Sequence, residues 1–156
     1  MDRILTRLLP DSMHQQADRD LAYRTMHLCA ELLLTQGHRV VLDATYGRRV
    51  HRIELERICS NVHCDLFLIE CRVPVEIAVA RFQERGSHPA SDLDDCRVAR
   101  LAAKFDYTGL GLIVDTMESE TTSLGKIHSY LAQDKSVDFG NWPRALLHKE
   151  SKKEKP

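Results

Sequence analysis

The 156 residues, 43% hydrophobic and 29% charged, suffice for one globular domain with a buried core. A formal net charge of -1 excludes a nonspecific nucleic-acid binder or a membrane-surface binder, since both need a clear excess of one sign. No apolar run approaches the roughly 20 residues that span a bilayer, and Leu8 to Pro10 is too short for a secretory core, so a cytoplasmic protein is expected.

Asp18 to Gln36 carries Leu21, Ala22, Met26, Cys29, Ala30, Leu33 and Leu34 at spacings of three and four, which predicts an amphipathic helix ended by Gly37. Arg39 to Ala44 is short, apolar and rich in valine, and predicts a buried parallel strand. Arg48 to Ser60 follows as a helix with Val50, Ile53, Ile58 and Cys59 on one side. Cys64 to Cys71, C-D-L-F-L-I-E-C, is a second strand. Pro74 opens a helix to Glu84, and Gly86 to Pro89 breaks it.

Ser91, Asp92, Asp94 and Asp95 read as the cap and acidic first turn of a helix reaching Phe105; a capped start explains these carboxylates better than a metal cluster. Gly109 and Gly111 bracket a turn before a third strand, Leu112 to Asp115, and a last helix covers Ser123 to Leu131. Residues 148–156, H-K-E-S-K-K-E-K-P, are expected to be disordered. Strands alternating with helices place the chain in the α/β class, a parallel sheet flanked by helices.

The five cysteines, Cys29, Cys59, Cys64, Cys71 and Cys96, form no C-x-x-C pair and suit reduced thiols in a core. Cys59, His63 and Cys64 make a poor zinc pattern, and none of the eight histidines stands in H-x-x-x-H spacing.

Taken in order, L-L-T-Q-G-H-R-V-V-L-D-A-T-Y-G-R-R, L-F-L-I-E-C-R-V-P-V-E-I-A-V-A-R-F-Q-E-R, S-D-L and G-L-I-V-D-T resemble the AAA-domain, zeta-toxin-like and gluconate-kinase-like group of P-loop kinases, from Asp2 to Leu131. The resemblance implies a three-layer P-loop NTPase-like fold and transfer of the ATP γ-phosphoryl group to a hydroxyl of a small molecule. It implies that Asp43, ending the third family strand, acts through Mg²⁺, with the Thr45 hydroxyl beside it. Arg81 and Arg85, four residues apart on one helix face, become lid arginines that offset phosphoryl charge. Arg49 and Arg52 would meet an anionic substrate. Met1-Asp2-Arg3-Ile4 is similar to the S-D-x-I-R segment, making Asp2 the acceptor-orienting carboxylate, and Asp115 with Thr116 would border the nucleotide base.

The residues alone leave other readings open. Asp43 reads equally as a turn carboxylate, and Arg81 and Arg85 as a solvated face pairing with Glu76 or Glu84.

The family's first strand, its G-x-x-x-x-G-K-[ST] loop and its first helix are expected before Asp2, where only Met1 stands, and no lysine precedes Lys104. The expectation is an incomplete domain over residues 1–135 with a polar extension over 136–156, and a partial or degenerate kinase-like protein that does not bind ATP unaided. The absent strand would lie between Arg39–Ala44 and Cys64–Cys71. These two segments then pair directly, take a strand from a partner chain, or leave a marginal fold. The alternative is a non-catalytic interaction protein or a truncated product that pairs with another chain. Neither the phosphate acceptor nor the oligomeric state is legible in the sequence.

Overall fold

A computed structural model describes residues 1–85, 93–105, 107–133 and 136–137, the Asp2 side chain excepted. The expected break at Gly86 to Pro89, the cap at Ser91 with Asp92, and the expected disordered tail lie outside the described residues. The elements are α1 (Asp2–Leu8), α2 (Gln16–Thr35), α3 (Arg49–Val62), β1 (Ile69–Arg72), α4 (Val75–Glu84), α5 (Asp95–Lys104), β2 (Leu112–Asp115) and α6 (Glu120–Leu131).

Local chemistry accounts for most boundaries. Asp18 accepts from the Gln15 amide and from the Ser12 hydroxyl, satisfying a donor at the start of α2. At the other end Gly37, at φ +80°, lets its own amide reach Leu34 O and the His38 amide reach Leu33 O, the hydrogen-bond pair of a glycine-ended helix. Pro74 caps α4, Asp94 accepts from the Arg97 amide at 2.7 Å to start α5, and the Ser119 hydroxyl accepts from the Thr122 amide to start α6. The helix α1 is an addition to the sequence reading. It forms because Leu5 buries completely against α2.

The core lies mainly among the first three helices, where Leu5, Ala22, Tyr23, Met26, Ala30, Ile58 and Cys59 are buried. The apolar stripe of α2 is only partly used: Leu21, Leu28, Leu32 and Leu33 are exposed.

The sheet among the described residues has two strands, β1 beside β2 in parallel, with Ile69 opposite Leu112 and Arg72 opposite Asp115. Its parallel pairing is that of the expected α/β class, yet two expectations are corrected. Arg39 to Ala44 forms no ladder. Burial still alternates along it, with Val40, Leu42 and Ala44 partly buried while Val41, Asp43 and Thr45 face outward, Val41 at 94% exposure. Alternation survives because it is local; a ladder needs a neighbouring backbone, and no described strand lies beside this segment. The segments Arg39–Ala44 and Cys64–Cys71 therefore do not pair directly.

The second correction shortens the Cys64 to Cys71 strand to Ile69–Arg72. Leu66 instead receives a hydrogen bond from the Val137 amide and donates to the Ser136 hydroxyl, and the Leu68 amide donates to Tyr130 Oη. These partners satisfy the backbone without a strand. No helix among the described residues is long and apolar enough to cross a membrane.

Candidate functional site

The segment Asp43-Ala44-Thr45-Tyr46 is held by a polar cluster between α2 and α3. Tyr46 adopts φ +47°, a left-handed backbone that a bulky residue takes only where its surroundings enforce it. Its amide donates to Tyr23 Oη at 2.9 Å, its hydroxyl is 3.1 Å from His27 Nε2, and its carbonyl accepts from Arg52 Nε. Every polar group of Tyr46 is thus engaged. Tyr23 Oη also lies 3.2 Å from Thr45 Oγ1, so one phenol grips consecutive residues.

The grip continues outward. His27, 1% exposed, has its other ring nitrogen 3.1 Å from Glu54 Oε2, and His51 stacks on Tyr23 with centroids 3.8 Å apart. Burial foremost, then the neighbouring phenol of Tyr23, raise the pKa of Tyr46, keeping its hydroxyl protonated. At Asp20 burial alone would raise the carboxyl; hydrogen bonds from Gln16 and Arg48 outweigh it and hold the group below the usual carboxylate value.

His51 Nε2 lies 3.1 Å from Asp20 Oδ1 but too obliquely to count as hydrogen-bonded. Burial therefore dominates and lowers the His51 pKa; Arg48 and His27 push the same way, while Asp20 and Glu54 oppose. Because the unfolded chain takes up this proton more readily, stability contributed by neutral His51 is present above about pH 6.5 and falls as the pH drops toward the lower folded value. Melting temperatures at pH 7.5 and 5.5 should show that fall, with a smaller slope in His51→Gln.

The exposed Asp43 side chain sits at the outer end of this cluster, and its carbonyl accepts from the Met1 backbone nitrogen at 2.9 Å. Arg52 is 8% exposed and committed to Tyr46, and Arg49 is half-buried. Arg81 belongs to a second group. Its guanidinium donates to Thr116 Oγ1 at 2.9 Å and to Thr116 O at 2.8 Å, tying α4 to the end of β2. Arg85 is exposed just past α4.

Arg81, expected at the phosphoryl group, and Thr116, expected beside the base, are in direct contact here. No hydrogen bond or ion pair among the described residues joins Asp43 to Arg81 or Arg85. Hollows of about 290 and 550 Å³ open elsewhere, beside Cys59 and beside Lys126.

Tyr23, His27 and Tyr46 were missed from sequence. Their signal was Tyr23 and His27 at i and i+4 beside the apolar Met26 and Ala30, a polar pair on a core-facing stripe. Glu70 was missed too. Buried on β1, it accepts from the Thr108 and Gly109 amides at 2.6 and 2.9 Å, while Arg72 reaches toward it at 3.8 Å and covers the Tyr107 ring. That carboxylate fixes the loop leading into β2.

Among the described residues no group of three His, Cys, Asp or Glu side chains could by itself hold a metal ion.

A family model described as an AAA domain matches residues 1–108. Uncharacterized protein Rv2004c of Mycobacterium tuberculosis and Uncharacterized protein Mb2027c of Mycobacterium bovis are each 24% identical over 121 residues, covering 78% of this chain. The chain spans 24% of the length of these curated relatives. No solved structure matches.

Proposed function

The chain belongs to the AAA-domain family, and from that premise we propose that it is the substrate and lid portion of an ATP-dependent, P-loop kinase-like phosphotransferase acting on a small-molecule hydroxyl, of the zeta-toxin-like or gluconate-kinase-like kind. The observation that carries this reading is the hold on Tyr46. A left-handed, fully hydrogen-bonded residue three positions after an exposed carboxylate is the kind of enforced backbone found where a side chain must be presented in one direction.

Asp43 fits a magnesium ion in one specific way. Mg²⁺ retains waters and takes one or two carboxylates together with substrate phosphates, so a single exposed Asp suffices where a three-ligand cage would not be needed. The ion would neutralise charge on the transferred phosphoryl group. Thr45, bonded to Tyr23, orients the turn beside Asp43. Arg81, steadied by Thr116, and Arg85 one turn on would offset charge on the phosphoryl oxygens. Asp2 would orient the acceptor hydroxyl. Of the arginines after the Asp43 segment, Arg52 supports Tyr46, and Arg49 would meet an anionic substrate.

Residues 1–156 contain no G-x-x-x-x-G-K-[ST] run, so a phosphate cradle would come from residues outside this stretch, which limits nucleotide affinity here. A magnesium-nucleotide titration tests the reading. A rise in melting temperature that disappears in Asp43→Asn supports it; ligand at 100 times its Kd would add about 2.7 kcal/mol.

A second reading, an interaction protein whose open sheet takes a strand from another chain, is favoured by the ladderless Arg39–Ala44 segment and the bare Val41. No shift at millimolar nucleotide, with oligomers that grow with concentration, would select it.

A further inference from the structure

The end of α3 differs chemically from that of α2 although both use the same backbone device. His63 takes the left-handed position at φ 53° where α2 uses glycine. The Cys64 amide then donates back to Cys59 O at 3.0 Å, and the His63 amide to Ser60 O. In this closure the residues at the two ends of the longer hydrogen bond bring their side chains together, normally as an apolar contact. Here both are cysteines.

The two residues are joined by that 3.0 Å backbone bond, with Cys59 buried and Cys64 half-buried. Both line one hollow of about 290 Å³, together with Glu56, His63 and Leu66. The remaining cysteines, Cys29, Cys71 and Cys96, are exposed and stand on other elements. A disulfide needs Cα atoms about 4.4–6.8 Å apart and convergent side chains, and the 3.0 Å backbone bond together with the shared hollow holds these two residues close enough to seek both.

We propose that Cys59 and Cys64 form a reversible disulfide across the end of α3, closed by exchange with a low-molecular-weight disulfide of the glutathione class. Cys64, the more accessible thiol, attacks as thiolate one sulfur of the disulfide RS–SR. A Cys64 Sγ–SR bond forms, and RS⁻ leaves and takes up a proton. Cys59 then loses its proton and attacks Cys64 Sγ, expelling the second RS⁻, which is protonated in turn. The cysteine pair gives up two electrons and two protons, and RS–SR becomes two RSH.

Burial, then the Cys64 side chain beside it, push the Cys59 thiol up to about 12, so its thiolate is scarce and the second step is the slow one. A mixed disulfide on Cys64 should therefore appear first and then decay into the ring. The product would pin the connection from α3 to β1, whose Leu66 and Leu68 are otherwise held by Ser136, Val137 and Tyr130.

The test equilibrates the full chain in oxidised and reduced glutathione, alkylates free thiols, and cleaves before Asp65 as well as after arginine. That cut separates Cys71 from the Ile58–Cys64 peptide, which contains both partners. The expected result is this peptide lighter by two hydrogens, with no fragment ions between positions 59 and 64, and restored by dithiothreitol. Closure should occur at a roughly tenfold lower ratio of oxidised to reduced glutathione than in the urea-unfolded chain, since the fold raises the effective concentration. Cys59→Ser should stop at the mixed disulfide on Cys64. Two results overturn the proposal: Cys64 ending as a stable mixed disulfide with Cys59 still alkylatable in the wild-type chain, or closure no easier in the folded than in the unfolded chain. Neither depends on nucleotide binding, so the kinase reading and this one fail separately.

Discussion

Replacing Gly111 with alanine is expected to remove most of the stability of the β1–β2 unit. A Cβ at that position would stand 2.1 Å from Leu68 O and 2.7 Å from both Leu68 C and Leu68 Cβ, far inside contact distance. The obstacle is backbone, and that backbone is in use: Leu68 O accepts the Leu112 amide at 2.9 Å, the bond that leads into the ladder. The strand cannot retreat without losing it.

Overpacking of this kind costs about 1–3 kcal/mol, and each ladder hydrogen bond lost adds about 1 kcal/mol. A total of about 3 kcal/mol or more is a large share of the roughly 5–15 kcal/mol that holds a domain. The urea midpoint should fall accordingly, and amide exchange at Ile113 and Val114 should accelerate.

Two neighbouring substitutions sharpen the result. Gly109→Ala meets no atom within 4 Å but must hold φ +65°, which costs about 1–2 kcal/mol. Gly125→Ala, inside α6 with open space around it, should stabilise by about 0.5–1 kcal/mol. If all three behaved alike, steric contact at Leu68 would not be the cause.

His27→Leu should be the most damaging single change in the helical core. The imidazole is 1% exposed and bridges Glu54 to the Tyr46 hydroxyl. Leucine fills similar space while leaving the Tyr46 hydroxyl without its partner, which costs about 1–3 kcal/mol for a buried polar group, whereas the Glu54 carboxylate, 30% exposed, turns to water. Tyr46→Phe removes that stranded group in advance. The double variant should therefore lose less than the sum of the singles, with a coupling of about 0.5–3 kcal/mol. Additive losses would mean that the bridge contributes nothing. Because the same bridge fixes the turn carrying Asp43, His27→Leu should also abolish any nucleotide-dependent rise in melting temperature, even below its own melting point.

The exposed apolar residues of Arg39–Ala44, α2 and α3 connect these energetics to function. Val41 is almost fully exposed, and Leu28, Leu32, Val50 and Ile53 show apolar surface on α2 and α3. A segment that bares valine while fixing Asp43 and Tyr46 gives the kinase reading a completed cleft to look for, and the interaction reading a surface to test. Thermal shift and oligomeric state separate the two.

Sequence by itself determined helices α2 to α6 and the strand Leu112–Asp115, because spacing, caps and glycine stops act within a few residues of where they are written. It also carried the AAA-domain part of the resemblance, which the match over residues 1–108 upholds. Only the tertiary structure decided that Arg39–Ala44 stays outside a ladder, that Glu70 turns inward to hold a loop 38 residues away, and that Tyr23, His27 and Arg52 converge on Tyr46. Pairing and convergence are properties of distant neighbours: an extended segment becomes a strand only beside another backbone, and a histidine becomes a bridge only when packing delivers an acceptor and a donor to its two nitrogens.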